Sequence, residues 1–139
     1  MLITDFKRNK IRHFTPEEIT KDGSMLGAVS LSLITTLDDL RESIDAGISI
    51  LCVTGGKHSG STHAQGIAVD FTTAKTIDVE EMIWRMCRVG FRGIGIYRNK
   101  AAYMSYHGDV RKTKIEIWGA HKYNSDMDWT YINLNEAIP

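Results

Sequence analysis

The chain has 139 residues, 42% hydrophobic and 24% charged, which suits one globular domain with a single core and excludes a disordered composition. Seventeen basic and seventeen acidic residues cancel and no basic run stands out, so the charge pattern carries no footprint of nucleic-acid binding. The opening "MLITDFKRNKIRHF" lacks the apolar stretch of a signal peptide, and no run is long enough to span a bilayer. The expectation is synthesis in the cytoplasm, with some other device delivering the protein if its target lies outside.

No repeat, low-complexity tract or linker interrupts the chain, so residues 1–139 read as one domain. "HFTPEEIT" opens a short helix, with Thr15 as cap, Pro16 at the first helical position and Glu18 closing a capping box. "KDGS" follows as a loop. From about Ser30 to Ala46 the apolar residues Leu33, Ile34, Leu37, Leu40 and Ile44 recur at helical spacing, with Gly47 as terminator. "ISILCV" (48 to 53) is a continuous apolar run of strand length, expected at the centre of a sheet. A loop rich in Gly, Ser and His leads to the strand "IAVDFT" (67 to 72).

The next helix is capped by Asp78 with Glu81 completing the box, and Gly90 ends it; Val79, Met82, Ile83 and Met86 form its inner stripe. Strands "GIGIY" (93 to 97), "MSYHGDV" (104 to 110) and "IEIWG" (115 to 119) come after it. Helices and strands alternate first and strands then cluster, which predicts an α+β fold: a largely antiparallel sheet with flanking helices. The C-terminal stretch from His121 shows little period. Cys52 and Cys87 fall in apolar surroundings and read as free, structural thiols, and no CxxC pair exists.

Strand alternation sorts the polar residues. In "IAVDFT", Ile67, Val69 and Phe71 face one way, and Ala68, Asp70 and Thr72 the other. In "MSYHGDV", Met104, Tyr106 and Val110 oppose Ser105, His107, Asp109 and Arg111. If the two polar faces adjoin, His63, Asp70 and His107 converge from a loop and two strands. Two imidazoles and one carboxylate, with a fourth position left to water, form a catalytic zinc arrangement. The bland readings stand beside it: each histidine as a surface or hydrogen-bonded residue, Asp70 as a turn cap. "GGKHSGS" lacks the GxxxxGK[ST] order of a phosphate loop, and the lone GxG of "GIGIY" is too common to use.

The pattern "SxHxxGxAxD" (Ser61, His63, Gly66, Ala68, Asp70) resembles the first metal motif of the zinc D-alanyl-D-alanine carboxypeptidase-like peptidases. Those enzymes share the hedgehog/DD-peptidase fold and cleave peptidoglycan stem peptides. "GIGIY", then "YHGDVR", then "IWG" is similar to the family's second block. "HFTPEEIT" also looks like the opening of phage and bacterial members.

The resemblance implies Zn2+ held by His63, Asp70 and His107, with Ser61 as a hydroxyl beside the metal or on the substrate side. It gives Asp109 the family's acidic position two beyond the histidine, and so the general base. It leaves Trp118 as a structural tryptophan beneath the site. Many members carry "SGYR" before the first motif. Here "TGGKHSGSTH" has no arginine, so Lys57 or His58 stands in for it, and Met104 occupies a position that some branches give to an acidic base. The base is then Asp109, another group, or none. The implied function is hydrolysis of peptide bonds in peptidoglycan stem peptides or cross-links, as carboxypeptidase, endopeptidase or phage endolysin. The alternative is a non-catalytic zinc module of the same fold, binding the cell wall or serving a phage structure. A chain without a signal peptide fits phage lysis or a virion-associated enzyme that reaches the wall by delivery.

Overall fold

A computed structural model describes residues 1–55, 61–99, 104–122 and 130–133. Among these, six strands form one sheet in the order β1-β2-β4-β3-β5-β6. They are β1 (Ile48–Cys52), β2 (Ala68–Thr73), β3 (Gly93–Asn99), β4 (Met104–Asp109), β5 (Glu116–Lys122) and β6 (Thr130–Asn133). All neighbours run antiparallel except β3 and β5, which are parallel. The helices are α1 (Ile3–Arg8), α2 (Pro16–Thr20), α3 (Leu31–Ile44), the single turn α4 (Ser61–Ala64) and α5 (Val79–Val89). The architecture is therefore α+β, with a mostly antiparallel open sheet and flanking helices. No helix among the described residues is long and apolar enough to cross a membrane.

The core lies between the helices and one face of the sheet. Leu33, Ile34, Leu37 and Leu40 of α3 and Met82, Ile83 and Met86 of α5 are buried, and the two helices pack on each other. Val69, Phe71, Ile94, Ile96 and Tyr106 meet them from the sheet, with Phe71 stacked on Tyr106 across the β2–β4 pair. The expected alternation of β2 and β4 holds, because a one-residue slip would carry every apolar side chain to the other face. That leaves Asp70, His107 and Asp109 together on the face away from α3 and α5.

The caps agree with the sequence in two places. Thr15 Oγ1 accepts from the Glu18 amide at 3.3 Å, and Gly90 ends α5 at φ 119°. Three expectations need correction, and two elements lie outside any expectation. The α3 helix closes on Asp45 in the left-handed region (φ 49°), two residues before Gly47. The sequence predicts a loop at His63, but Ser61–Ala64 form a helical turn, closed by Gln65 N to Ser61 O at 3.1 Å and Gly66 N to His63 O at 2.9 Å.

The third correction concerns "ISILCV", which is an edge strand and not a central one. Its burial is uneven: Ile48 and Cys52 are buried, whereas Leu51 is 48% exposed, as one open edge permits. Helix α1 and strand β6 carry too weak a period to be expected. The N-terminal segment is held by Asp38 of α3, a buried carboxylate that accepts from the amides of Arg12 and His13 and from Arg12 Nε at 3.0 Å.

Candidate metal centre

Asp70 stands on the middle one of three adjacent strands. Its Cα partner on β1 is Cys52 and its Cα partner on β4 is His107. Cys52 reaches this row through an irregularity. Ile50 pairs with Phe71 on the core side, and a β-bulge then sets Cys52, rather than Leu51, opposite Asp70. Simple alternation would have kept Cys52 with Ile48 and Ile50 on the core face, so the bulge re-aims one side chain.

His63 enters from above, on α4. The turn ends at Gly66 (φ 71°), where a Cβ would overlap the carbonyl oxygen of Ala28, so only glycine allows the close approach. The Gly66 carbonyl accepts from the Ser30 amide at 2.9 Å, which ties α4 to the start of α3. The backbone just after β1 is fixed by Asp22, whose Oδ2 accepts from Val53 N at 2.7 Å and Gly55 N at 3.1 Å. Ser24 Oγ accepts from Thr54 N at 2.9 Å. Burial opposes the charge on Asp22, but the bonds from Ser24, Val53 and Gly55 outweigh it and hold the carboxyl below its ordinary range.

Val53, thus fixed, accepts a 2.6 Å hydrogen bond from His63 Nδ1 through its carbonyl. A carbonyl only accepts, so Nδ1 donates to it and Nε2 is the nitrogen turned inward. Nε2 lies 3.3 Å from Asp70 Oδ1. His107 is arranged the same way from the opposite side: Nε2 is 2.9 Å from Asp109 Oδ2, and Nδ1 is 3.0 Å from the same Asp70 Oδ1. The His63 and His107 rings meet edge-on with centroids 5.1 Å apart.

Asp109 is wholly buried and fully engaged. Arg111 donates through Nε to Oδ1 at 2.7 Å and through a terminal nitrogen to Oδ2 at 2.6 Å, and the Arg111 amide adds a bond to Oδ1 at 3.2 Å. Expected as a general base beside a water, Asp109 instead sits behind His107, on the far side of the ring from Asp70. Its oxygens are taken up by orienting bonds. Burial resists ionisation of Asp109, but Arg111 and His107 keep its carboxyl well below the usual range.

The glycines of "GIGIY" make the room for this. Gly93 pairs with Asp109 and Gly95 with His107. A Cβ on Gly93 would overlap the Asp109 carboxylate, and one on Gly95 would come within 2.7 Å of Trp118 Nε1. The space beside Gly95 admits the Trp118 indole, whose ring centroid is 5.1 Å from that of His107 and whose Nε1 donates to Tyr97 Oη at 3.0 Å. Sequence reasoning set this GxG aside. The signal that could have found it was register, since two glycines at spacing two face whatever sits at spacing two on the paired strand.

The electrostatics follow from these contacts. Burial raises the cost of ionising Asp70, yet the bonds to His107 and His63 push its carboxyl far below the normal range. Burial likewise disfavours a charged His107, but Asp109 and Asp70 together raise its pKa. An inward imidazole nitrogen faces the Asp70 oxygen favourably only across a proton or across a cation, since a bare lone pair there would repel the carboxylate. A divalent cation would satisfy all three donors, and neutral imidazoles with a carboxylate oxygen match zinc. His63, Asp70 and His107, the three expected ligands, are thus brought together.

Cys52 was missed as part of the site. Its Sγ joins the ligand atoms of His63 and Asp70 in a group lying within 4.8 Å of one another. The thiol donates to Gly55 O at 3.0 Å, and burial with the nearby charges of Asp70 and Asp22 pushes its pKa up to about 12. Ser61 is exposed at the start of α4, while Lys57 and His58 lie outside the described residues. Comparison of the chain with protein-family models, with curated proteins and with solved structures gave no match.

Proposed function

We propose that this chain is a zinc-dependent metallopeptidase that hydrolyses peptide bonds in peptidoglycan stem peptides or cross-links. The observation that carries the reading is the convergence of His63 Nε2 and His107 Nδ1 on one oxygen of Asp70, at 3.3 and 3.0 Å, with both far nitrogens already committed. The choice of peptide substrate is supported by the motif resemblance around residues 61–70 and 93–118. When bound by His63, Asp70 and His107, Zn2+ supplies Lewis acidity and makes water a nucleophile near neutral pH.

The chain's own residues do the rest. The Val53 carbonyl and Asp109 lock the two rings so that neither can turn its inward nitrogen away. Arg111 holds Asp109 in turn, and Trp118 walls off one side of His107. Asp109 acts in this reading as a positioning residue for His107. In this reading Ser61 lies on the peptide side, and Lys57 or His58, both outside the described residues, takes the place of the family arginine toward a developing oxyanion.

Digestion of purified sacculi tests the proposal. Zinc-loaded protein should release soluble peptide fragments, and His63→Ala should release none. Intact sacculi after incubation with the zinc-loaded protein would refute peptidase action. A second reading, a non-catalytic zinc module that binds cell wall or a phage structure, is favoured by the full engagement of Asp109 and the lack of arginine in residues 54–63. Retained zinc and sacculus binding without fragments would establish it.

A further inference from the structure

We infer that Cys52 is the fourth ligand of the same ion, closing the position that a catalytic zinc site leaves to water. The inference rests on the reading of His63, Asp70 and His107 as metal ligands and adds one residue to them. Three observations carry it. Cys52 stands directly opposite Asp70, on the strand flanking β2 on the side away from His107. The bulge after Ile50 is what turns it there, out of the apolar row in which alternation would have left it. Its Sγ, the His63 ring nitrogen and an Asp70 oxygen lie within 4.8 Å of one another, His107 standing outside that group but with Nδ1 3.0 Å from Asp70 Oδ1, and Cys52 is 7% exposed.

The chemistry agrees. Sulfur, two imidazole nitrogens and a carboxylate oxygen make a four-donor set for tetrahedral zinc, and zinc sites filled by four protein donors are closed ones. Binding breaks the thiol S–H bond and its hydrogen bond to the Gly55 carbonyl, forms the sulfur–metal bond, and releases the proton to solvent. A site closed by Cys52 leaves no position for water, so hydrolysis at this ion requires the sulfur to leave. The neighbouring Asp22 fixes the Gly55 segment against which the thiol rests.

Cobalt substitution of the full chain tests this. Cys87→Ser serves as background, so that Cys52 is the sole thiol, and Co2+ is the probe. The expected spectrum contains an intense thiolate-to-cobalt charge-transfer band in the near ultraviolet. Cys52→Ser and Cys52→Ala in that background should lose the band while still taking up one equivalent of cobalt. Their zinc affinity should fall by at least the roughly 10- to 100-fold that loss of an outer partner costs. One equivalent of cobalt bound with no such band would overturn the role of Cys52 and leave the three-ligand site intact. Failure of the background protein to bind cobalt at all would overturn both, and circular dichroism on each variant separates loss of binding from loss of fold.

Discussion

Asp70 and His107 face each other as direct partners on adjacent antiparallel strands, with His107 Nδ1 3.0 Å from Asp70 Oδ1. Because cross-strand partners share a face, the pairing register alone brings this nitrogen and this oxygen together. The α4 turn then needs to supply only one further donor, His63. A site built on strand register is rigid, and its consequences can be measured.

The first concerns metal content. His63→Ala, Asp70→Ala and His107→Ala should each abolish stoichiometric zinc, as read by elemental analysis of protein purified without a histidine tag. Zinc at about 100 times its Kd should stabilise the wild type by ~2.7 kcal/mol, with a matching rise in Tm that a chelator reverses. An unchanged zinc content in His107→Ala would place the ion on Cys52, His63 and Asp70 instead.

Asp109→Asn tests the positioning role. An amide cannot accept the Arg111 fork on both atoms, and one face of it presents donors to His107 Nε2. Zinc affinity should fall about 10- to 100-fold, as expected for losing the partner that orients a ligand histidine. Arg111→Lys, which keeps charge but loses the planar fork, should fall between wild type and Asp109→Asn. Competition with a chromophoric chelator gives both numbers. Zinc affinity unchanged in Asp109→Asn, with hydrolysis lost, would return Asp109 to the base originally expected.

Gly95→Ala and Gly93→Ala test the space beside the site. The added methyl at Gly95 must push the Trp118 indole off His107, whereas that at Gly93 meets a wholly buried carboxylate clamped by Arg111. Overpacking of this kind costs about 1–3 kcal/mol, with Gly93→Ala the more damaging. Denaturant unfolding gives the stabilities, and a shift in tryptophan emission should accompany Gly95→Ala.

The pH prediction concerns Asp22. Its carboxyl is held below the ordinary range in the folded chain, so it binds a proton more weakly there than when unfolded. Its contribution to stability is therefore complete above the unfolded value of roughly 4 and is lost as pH falls through the folded value. Asp22→Asn should be less stable than wild type at neutral pH, and the gap should close in acid. Urea midpoints measured from neutral pH downward give the curve; a gap that stays constant would contradict the assignment.

Much of this was legible in the chain itself. The caps at Thr15 and Asp78, the apolar stripe of α3 and α5, and the two-residue alternation around Asp70 and His107 are local patterns. Local patterns fix which face of an element is polar, because backbone geometry imposes periods of 3.6 and 2. Residues whose role depends on a neighbour distant in sequence were not legible. Alternation assigns Cys52 to the core, and only a bulge against β2 turns it toward Asp70. Gly93 and Gly95 mean nothing until β3 is in register with Asp109 and His107. Asp109 reads as a free acid until Arg111 folds back over it.

Local pattern was enough for the α+β class, the helix stripes and the polar face that carries Asp70 and His107. Tertiary structure decided that β1 lies at the edge, that Cys52 turns toward the site, and that Asp109 stands behind His107. The physical reason is that periodicity is a property of one segment, whereas register, bulges and carboxylate partners belong to pairs of segments and exist only once the sheet has formed.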